Sequence, residues 1–191
     1  NLDLRGAQAL PELLKNEESI VHITGHELHG MNGLARISWF KVFMPDVYRN
    51  VDKILMFADW VCYKLTGQVS SEPSIACSSQ MFDIHTLDYS GNLMRELEIR
   101  EDIFPEVSQA HESIGTVLPS VAQFTGLPSG IPVFNAGGDT QLGALGMGMV
   151  SPGDYGVIAG STTPVITLIN SSNVYPSTGI ETNNYTMPGM W

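Results

Sequence analysis

A short apolar run between glycines sets the expected fold class of this chain. Residues 131–136 read Ile-Pro-Val-Phe-Asn-Ala, follow Gly130 and end at Gly137 and Gly138. An apolar run of this length between turn residues is typical of a buried strand in a layered α/β sheet. The small residues of the next segment, 140–148, would let a helix approach another backbone closely. The order of strand, glycine pair and helix predicts an α/β fold.

The flanking segments add further strands and helices. Two β-rich runs, residues 155–159 and 165–169, are separated by a turn rich in Gly, Ser and Thr, which predicts a β-hairpin. Apolar residues recur at spacings of three and four through the first half, which predicts amphipathic helices. A Ser-rich loop is expected to lead into a short strand at residues 81–84, and a short helix at 121–124 is expected to end at Gly126.

One long segment allows two interpretations. Apolar residues between positions 47 and 65 fit a single amphipathic helix that ends at Gly67, with Asp46 as its N-cap. Alternatively, residues 53–57 form a short buried strand before a second helix. Both interpretations place a helix immediately before Gly67.

Composition and charge exclude two classes of function. The chain has 191 residues, of which 43% are hydrophobic, and a formal net charge of −11. No apolar run approaches the roughly 18 residues that span a bilayer, and the nine Lys and Arg are too scattered to form a basic surface. We therefore expect neither membrane insertion nor nucleic-acid binding. Cys62 and Cys77 fit reduced thiols in a cytoplasmic protein. The chain opens at Asn1 without a methionine, and we expect it to be a piece of a longer protein.

Asp139 is the first candidate for chemistry. A carboxylate at the carboxyl end of a strand, after two glycines that let other atoms approach the backbone, lies where open α/β sheets bind ligands. A general base needs a free oxygen within hydrogen-bonding reach of the proton that it accepts. The alternative is that Asp139 is the N-cap of the following helix. The residues alone leave both roles open.

The turn Gly160-Ser161-Thr162-Thr163 is the second candidate. Its three hydroxyls and its backbone N–H groups could converge on an anionic group such as a phosphate. The alternative is an ordinary polar hairpin turn. The chain has no GxxxxGK[ST] loop and no GxSxG motif, so neither a P-loop nucleotide site nor a hydrolase with a nucleophile elbow is expected.

Three histidines are a candidate for a metal site. His22, His26 and His29 are four and three residues apart, a spacing that could place them on one helix face. Gly25 interrupts that helix, however, and the HExxH arrangement that would supply a water-activating glutamate is missing. We predict no metal ligands in this chain.

Two motifs in combination resemble the FGGY carbohydrate kinase family. The first is segment 137–148, Gly-Gly-Asp-Thr-Gln-Leu-Gly-Ala-Leu-Gly-Met-Gly, and the second is the turn at 160–163, at the distance typical of the family. Further elements occur in the family's order, namely Asn1 to Gly6, Thr24-Gly25, Met31 to Trp39, Asp59-Trp60 through Gly67, and Phe82-Asp83-Ile84. The resemblance covers nearly the whole chain.

The resemblance implies a fold and a set of site residues. The fold is α/β, with a mixed sheet and flanking helices, of the actin-like or RNase H-like type. The implied general base is Asp139, which takes the proton from the attacking hydroxyl. The implied phosphate-binding residues are Gly160, Ser161, Thr162 and Thr163. The implied sugar-binding residues are Asp3, Met31, Gly138 and Asp139. For Met31 the alternative is packing in the core, and for Asp3 it is an ion pair with Arg5 at the surface.

Three positions depart from the family's usual residues. Gly33 stands where Pro, Ser or Thr is usual, Arg36 where Lys is usual, and Ser161 where Thr is more frequent. The last change keeps the hydroxyl of the phosphate-binding turn. The first two weaken the assignment of a substrate more than the assignment of the family.

Two parts of the family's pattern do not occur in this sequence: the first phosphate-binding hairpin, Asp-x-Gly-Thr, and the second, adenosine-binding domain. Residues 1–191 therefore resemble part of the N-terminal domain, the incomplete N-terminal lobe of a two-domain sugar kinase. The expected cofactors are ATP and Mg²⁺, held mainly by the rest of the full-length enzyme. The expected partners are a small sugar or polyol and a second copy of the chain.

The implied function is ATP-dependent phosphorylation of a sugar hydroxyl in the cytoplasm. The xylulokinase-like subgroup, which acts on a pentulose such as xylulose, is favoured, and the autoinducer-2 kinase-like subgroup is the alternative. The 191 residues by themselves are expected to be inactive. A rival from another class is a non-catalytic, actin-like sugar-binding module, and the presence of Asp139 argues against it.

Overall fold

The computed structural model describes residues 3–160 and 163–191, in which short helices alternate with short strands. The helices are α1 (Leu10–Leu13), α2 (Glu17–Thr24), α3 (Gly33–Phe43), α4 (Pro45–Arg49), α5 (Phe57–Thr66), α6 (Pro73–Ala76), α7 (Gly91–Glu96), α8 (Pro119–Thr125) and α9 (Asp139–Gly146). The strands are β1 (Ser70–Ser71), β2 (Phe82–Asp83), β3 (Asp88–Tyr89), β4 (Glu106–Val107), β5 (Ser113–Thr116), β6 (Pro132–Phe134), β7 (Tyr155–Val157) and β8 (Val165–Thr167). None of the helices in these two ranges is long and apolar enough to cross a bilayer.

The strands pair two by two within the described ranges. β1 is parallel to β4, whereas β2 with β3, β5 with β6, and β7 with β8 are antiparallel. In the last pair Tyr155 lies opposite Thr167 and Val157 opposite Val165, as expected for the predicted hairpin. The mixture of helices with parallel and antiparallel strands is that of the predicted α/β class.

The chain divides into two compact units. Unit 1 contains the described residues up to Ile54 together with Ala76–Phe104 and Ser172–Asn183. Unit 2 contains Leu55–Ile75, the described part of Pro105–Ser171, and Asn184–Trp191.

Unit 1 has an apolar core. Ile20 of α2, Leu34 of α3 and Leu93 of α7 are fully buried in it. The other buried members are Leu13, Ala35, Ile37, Tyr48, Met81, Met94, Ile99, Ile103 and Phe104. The core stabilises the helices, since each is too short to be stable by itself in water. Helix α2 ends at Thr24 because Gly25 adopts a left-handed conformation with φ of 72°, as the sequence predicted.

Unit 2 has a smaller buried cluster. It consists of Ala144 of α9, Met149, Leu168 and Tyr185, and the Tyr185 hydroxyl donates a hydrogen bond to the Met149 carbonyl at 3.0 Å. The predicted ends of two helices are confirmed in this unit, since α5 stops before left-handed Gly67. Likewise, α8 stops before left-handed Gly126.

The single helix predicted between positions 47 and 65 is wrong. Helix α4 ends at Arg49 and α5 begins at Phe57, with neither helix nor strand at residues 51–56, so the alternative strand at 53–57 is wrong as well. The Ile54 N–H donates to the Ile103 carbonyl at 2.7 Å, and a tertiary contact replaces the helical hydrogen bond.

The start of α4 also differs from the prediction. Met44 is the N-cap residue, and Pro45 is the first helical residue. Proline is favourable there because an N–H at this position would make no hydrogen bond within the helix. Asp46, the predicted N-cap, lies in the first turn instead.

Strand β6 lies where the sequence predicted a strand, but it is not buried as predicted. Phe134 is 47% exposed and Ile131 is 38% exposed. Within the described residues β6 pairs with β5 alone, and this two-stranded sheet leaves these side chains accessible. The predicted strand at residues 81–84 is confirmed as β2, but the Ser-rich segment before it contains α6 rather than a continuous loop.

Candidate active site

Asp139 is the first residue of α9, in unit 2. Gly138 precedes it in an extended conformation, and its carbonyl accepts the first helical hydrogen bond, from the Leu142 N–H at 2.9 Å. Gly138 is therefore the N-cap residue, and the prediction of Asp139 as N-cap is wrong by one position.

The Asp139 carboxylate is exposed and only partly engaged. Its Oδ1 accepts a hydrogen bond from the Thr140 N–H at 2.7 Å and a longer one from the Thr140 hydroxyl at 3.4 Å. Within residues 3–160 and 163–191, both of these hydrogen bonds fall on Oδ1. Among the described residues, the second oxygen, Oδ2, accepts no hydrogen bond.

Gly137 makes a close approach that only glycine allows. Its φ is 130°, and a Cβ built there would lie 2.3 Å from the Thr186 Cγ2 and 3.0 Å from the Ser74 Oγ. Both distances are shorter than ordinary van der Waals contact. The glycine pair thus lets the chain turn from β6 into α9 directly against neighbouring side chains.

Two buried side chains, Glu72 and Ser74, lie behind this loop. The Gly138 N–H donates to the Ser74 Oγ at 2.9 Å, and the Ser74 hydroxyl donates to the Glu72 carboxylate. Glu72 Oε2 also accepts from the N–H groups of Ser74 and Ile75, at 2.9 and 3.3 Å. Burial raises the pKa of Glu72, and the hydrogen bonds from Ser74 oppose this rise.

A second buried carboxylate holds the other end of the loop. The Asn135 amide, directly after β6, donates to Asp59 Oδ1 at 2.6 Å. Asp59 lies in the first turn of α5, where its Oδ2 accepts from the Met56 N–H at 3.2 Å. Burial raises the pKa of Asp59, opposed in part by the hydrogen bond from Asn135. The Asn135 end of the loop is therefore hydrogen-bonded directly to Asp59, and the Gly138 end is connected to Glu72 through the Ser74 hydroxyl.

The sequence did not predict any of these four supporting residues. Glu72, Ser74, Asp59 and Asn135 are polar and buried, and burial cannot be inferred from a Ser-rich segment. One local signal was available, because Pro73 after an acidic residue is typical of a helix start. Their partners, however, lie 64 and 76 positions away in the sequence.

Asp3, in unit 1, forms the ion pair with Arg5 that was the alternative to sugar binding. Arg5 Nε and Nη2 donate to its two carboxylate oxygens at 2.9 and 2.8 Å. The hydrogen bonds from Arg5, with a smaller contribution from the charge of Arg36, lower the pKa of Asp3 to about 2. Asp3 is therefore an ionised acceptor at neutral pH.

Met31, also in unit 1, is 39% exposed, so the alternative of packing in the core is wrong. Arg36 Nη2 donates to the Met31 carbonyl at 2.5 Å. Arg36 thus interacts with the backbone of Met31 and with the charge of Asp3, and the structure brings these two predicted sugar-binding residues to a common neighbour.

The predicted phosphate-binding turn connects β7 and β8. Gly160 and Thr163 are described, whereas Ser161 and Thr162 lie outside the described residues. The Ile158 N–H donates to the Pro164 carbonyl at 3.2 Å, so the hairpin pairing continues beyond the strands up to this turn.

The three histidines are not gathered around one point. The His22 ring lies 5.6 Å from the His85 ring, and His26 is buried with its Nδ1 3.5 Å from Glu181 Oε2. Burial lowers the pKa of His26. Among the described residues no group of three His, Cys, Asp or Glu side chains could hold a metal ion.

Residues 2–146 match the family described as "FGGY family of carbohydrate kinases, N-terminal domain". The chain belongs to the FGGY family. The matched range contains Asp139 and the whole loop that precedes it. The resemblance that the motifs indicated is therefore confirmed over most of the chain.

Relatives of this FGGY chain are named kinases. An autoinducer-2 kinase from Enterobacter sp. (strain 638) is 31% identical over 195 residues, which cover 100% of this chain and 37% of that protein. The chain thus spans about 37% of the length of this curated relative.

Two solved structures share the fold. The xylulose kinase from Lactobacillus acidophilus superposes with a TM-score of 0.90 at 16% identity, over 98% of this chain and 39% of that one. The glycerol kinase from Plasmodium falciparum, solved with ADP, has a TM-score of 0.75 at 21% identity, over 88% of this chain and 34% of that one. At these identities the likeness establishes the sugar kinase fold and nothing finer.

Proposed function

We propose that the whole protein containing this chain transfers the γ-phosphoryl group of ATP to a hydroxyl of a small sugar or polyol. The observation that carries the proposal is the FGGY match over residues 2–146, with an exposed carboxylate, Asp139, at the first position of α9. Phosphoryl transfer needs positioning, charge stabilisation and one acceptor for the proton of the attacking hydroxyl. Asp139 supplies that acceptor.

Asp139 acts as general base through Oδ2. Oδ1 is held by the Thr140 N–H, which fixes the orientation of the carboxylate. Oδ2 accepts the proton of the sugar hydroxyl as the hydroxyl oxygen attacks phosphorus. General bases of this kind contribute about 10² to 10⁴-fold to the rate.

The turn at Gly160 to Thr163 is proposed to bind the γ-phosphate. Its position between two paired strands and its content of hydroxyl-bearing residues support this role. Ser161 and Thr162 are included from the sequence motif, and the proposal for them rests on the family resemblance.

Asp3 and Met31 are proposed to contact the sugar, together with Gly138. Asp3 Oδ1 accepts from both the backbone N–H and the Nε of Arg5, whereas Oδ2 accepts from Arg5 Nη2, so the second lone pair of Oδ2 can accept a hydrogen bond from a sugar hydroxyl. Met31 is 39% exposed and is proposed to offer its side chain as an apolar wall under carbon atoms. The N–H of Gly138 already donates to Ser74, so its contact with substrate is one of close approach.

ATP and Mg²⁺ are part of the proposal for the whole protein. The described residues contain no cluster of acidic or histidine side chains that could bind Mg²⁺ by themselves. Mg²⁺ in such enzymes is held by one or two carboxylates and by the phosphates of the nucleotide. We therefore assign no step of the reaction in this chain to the metal, and we place the reaction in the cytoplasm, where ATP is available.

The replacement Asp139→Asn tests the proposed base. In the whole protein, with ATP and the sugar that it phosphorylates, we expect ADP release to fall by about 10² to 10⁴-fold while the affinity for the sugar changes little. Asp88→Asn is the matched control, because Asp88 is also exposed and also accepts from the N–H of the next residue, at 2.8 Å. Undiminished turnover in Asp139→Asn would remove Asp139 as the base. Sugar binding without turnover in the parent protein would favour the non-catalytic module.

Two substrates are candidates. The pentulose xylulose follows from the xylulokinase-like motifs, and autoinducer-2 is favoured by the name of the 31% identical relative that covers the whole chain. A panel of pentuloses, hexuloses, polyols and autoinducer-2, each with ATP and the whole protein, compares them through kcat/KM. The compound with the highest kcat/KM is assigned as the substrate of the whole protein.

A further inference from the structure

We propose that Ser74 and Glu72 are positioning residues for Asp139, which fix the loop and the helix start from which the base projects. This inference rests on the proposed function, because it assigns the residues a part in the step that Asp139 performs. Neither residue touches the reacting atoms through its described contacts, and both act through the backbone of Gly138.

The hydrogen-bond directions in this network are determined by chemistry. A serine hydroxyl has one proton to donate. The Gly138 N–H can only donate, so the Ser74 Oγ accepts from it at 2.9 Å. The hydroxyl proton of Ser74 is then given to Glu72 Oε2. The Gly138 N–H is thus a donor, the Ser74 hydroxyl both accepts and donates, and the Glu72 carboxylate accepts. No other placement of the protons satisfies these three groups equally well.

Glu72 is anchored rather than mobile. It is 1% exposed, and its Oε2 accepts from the N–H groups of Ser74 and Ile75 as well as from the hydroxyl. Buried hydrogen bonds of this kind restrict motion, because each lost bond leaves a buried group without a partner. The oxygen that holds the Ser74 hydroxyl is thereby fixed to the backbone of α6.

Gly138 transmits this rigidity to the base. It is the N-cap residue of α9, and the next peptide group sets the direction in which the Asp139 side chain leaves the helix. Gly137, on the other side, packs closely against Thr186, since a Cβ built on it would lie 2.3 Å from the Thr186 Cγ2. A displacement of about 1 Å at a catalytic group can reduce the rate by about 100-fold.

The test is a double-mutant cycle on the whole protein. Ser74→Ala is expected to lower kcat by about 10- to 100-fold, with KM for the sugar within about twofold of the parent value. The kcat is calculated per sugar-binding site, so that any unfolded fraction reduces the number of sites and not the rate. Ser78→Ala is the matched control, because Ser78 is an exposed serine four positions away, and its kcat should be that of the parent.

The double variant Ser74→Ala/Asp139→Asn separates positioning from a general structural role. If Ser74 acts through Asp139, the double variant is no slower than Asp139→Asn. If the double variant is slower than Asp139→Asn by the same factor as Ser74→Ala is slower than the parent, the inference is overturned. A Ser74→Ala kcat within twofold of the parent also overturns it.

Glu72→Gln repeats the cycle with a side chain of the same size, and it carries the test if Ser74→Ala does not fold. The amide is a weaker acceptor for three donors, so a smaller fall in kcat, about 3- to 30-fold, is expected. Failure of the proposed function gives a different result, because then Asp139→Asn itself retains turnover, whatever happens at Ser74 and Glu72.

Discussion

Replacement of Gly33 by alanine should destabilise this chain, although alanine is the better helix former. Gly33 is the first residue of α3, and a Cβ built on it would lie 2.7 Å from the Ser79 Cα and 2.8 Å from the Ser79 carbonyl oxygen. Ser79 has little freedom to withdraw, since its hydroxyl donates to the Ala76 carbonyl and accepts from the Met81 N–H. The clash is therefore with a fixed backbone.

The magnitude follows from two opposing contributions. Overpacking of a buried site typically costs about 1–3 kcal/mol, and the fixed backbone favours the upper part of that range. Alanine in place of glycine returns at most about 1 kcal/mol of helix propensity. The net loss in the free energy of unfolding is about 1–2 kcal/mol. Gly33→Ser, which introduces a residue usual in the family, should be destabilising for the same reason.

Gly146→Ala is the matched control. Gly146 is also a terminal residue of a helix, α9, and a Cβ there would meet no atom within 4 Å. The same chemical change should then be neutral or stabilising by up to about 1 kcal/mol. The two variants should differ by about 1–3 kcal/mol, or about 2–12 °C in the midpoint of thermal unfolding. A midpoint for Gly33→Ala equal to or above that of the parent chain would refute the steric argument.

Two further predictions concern buried side chains. Phe82 is completely buried, whereas Phe57 is 80% exposed. Phe82→Ala should therefore lower the free energy of urea unfolding by about 3–5 kcal/mol, and Phe57→Ala by less than about 0.5 kcal/mol. Equal losses in the two variants would contradict the described core. His26 has a lowered pKa because it is buried, so below its unfolded pKa of about 6.5 the unfolded state binds a proton that the folded state does not. The thermal midpoint of the parent chain should therefore fall from pH 7.5 to pH 5.5, and that of His26→Gln should fall less over the same interval. An equal fall in both proteins would show that His26 is not the cause.

Local signals in the sequence were sufficient for several elements. The ends of α5 and α8 follow from Gly67 and Gly126, because a left-handed C-cap is favourable for glycine and costly for other residues. The β7–β8 hairpin follows from two β-rich runs and the turn between them. In each case the information lies within a few residues of the element that it determines.

Contacts between distant segments explain the failures. The chain leaves the helical conformation after Arg49 because residues 53 and 54 bond with the segment 102–104: the Lys53 Nζ donates to the Asp102 and Phe104 carbonyls at 2.7 and 3.0 Å. No pattern within residues 47–65 contains that partner. The supports of the Asp139 loop were missed for the same reason, whereas Asp139 itself was predicted from a local signal, the glycine pair before it.

The division of the chain into two interleaved units has a consequence for its synthesis. The six stretches alternate between the units, so the chain passes from one to the other five times. On the ribosome, unit 1 stays incomplete until Ser172–Asn183 has emerged, and unit 2 until Asn184–Trp191 has emerged. Neither unit can be completed while the other is still largely untranslated, and in a nascent chain that stops before Asn184 the buried cluster of unit 2 lacks Tyr185.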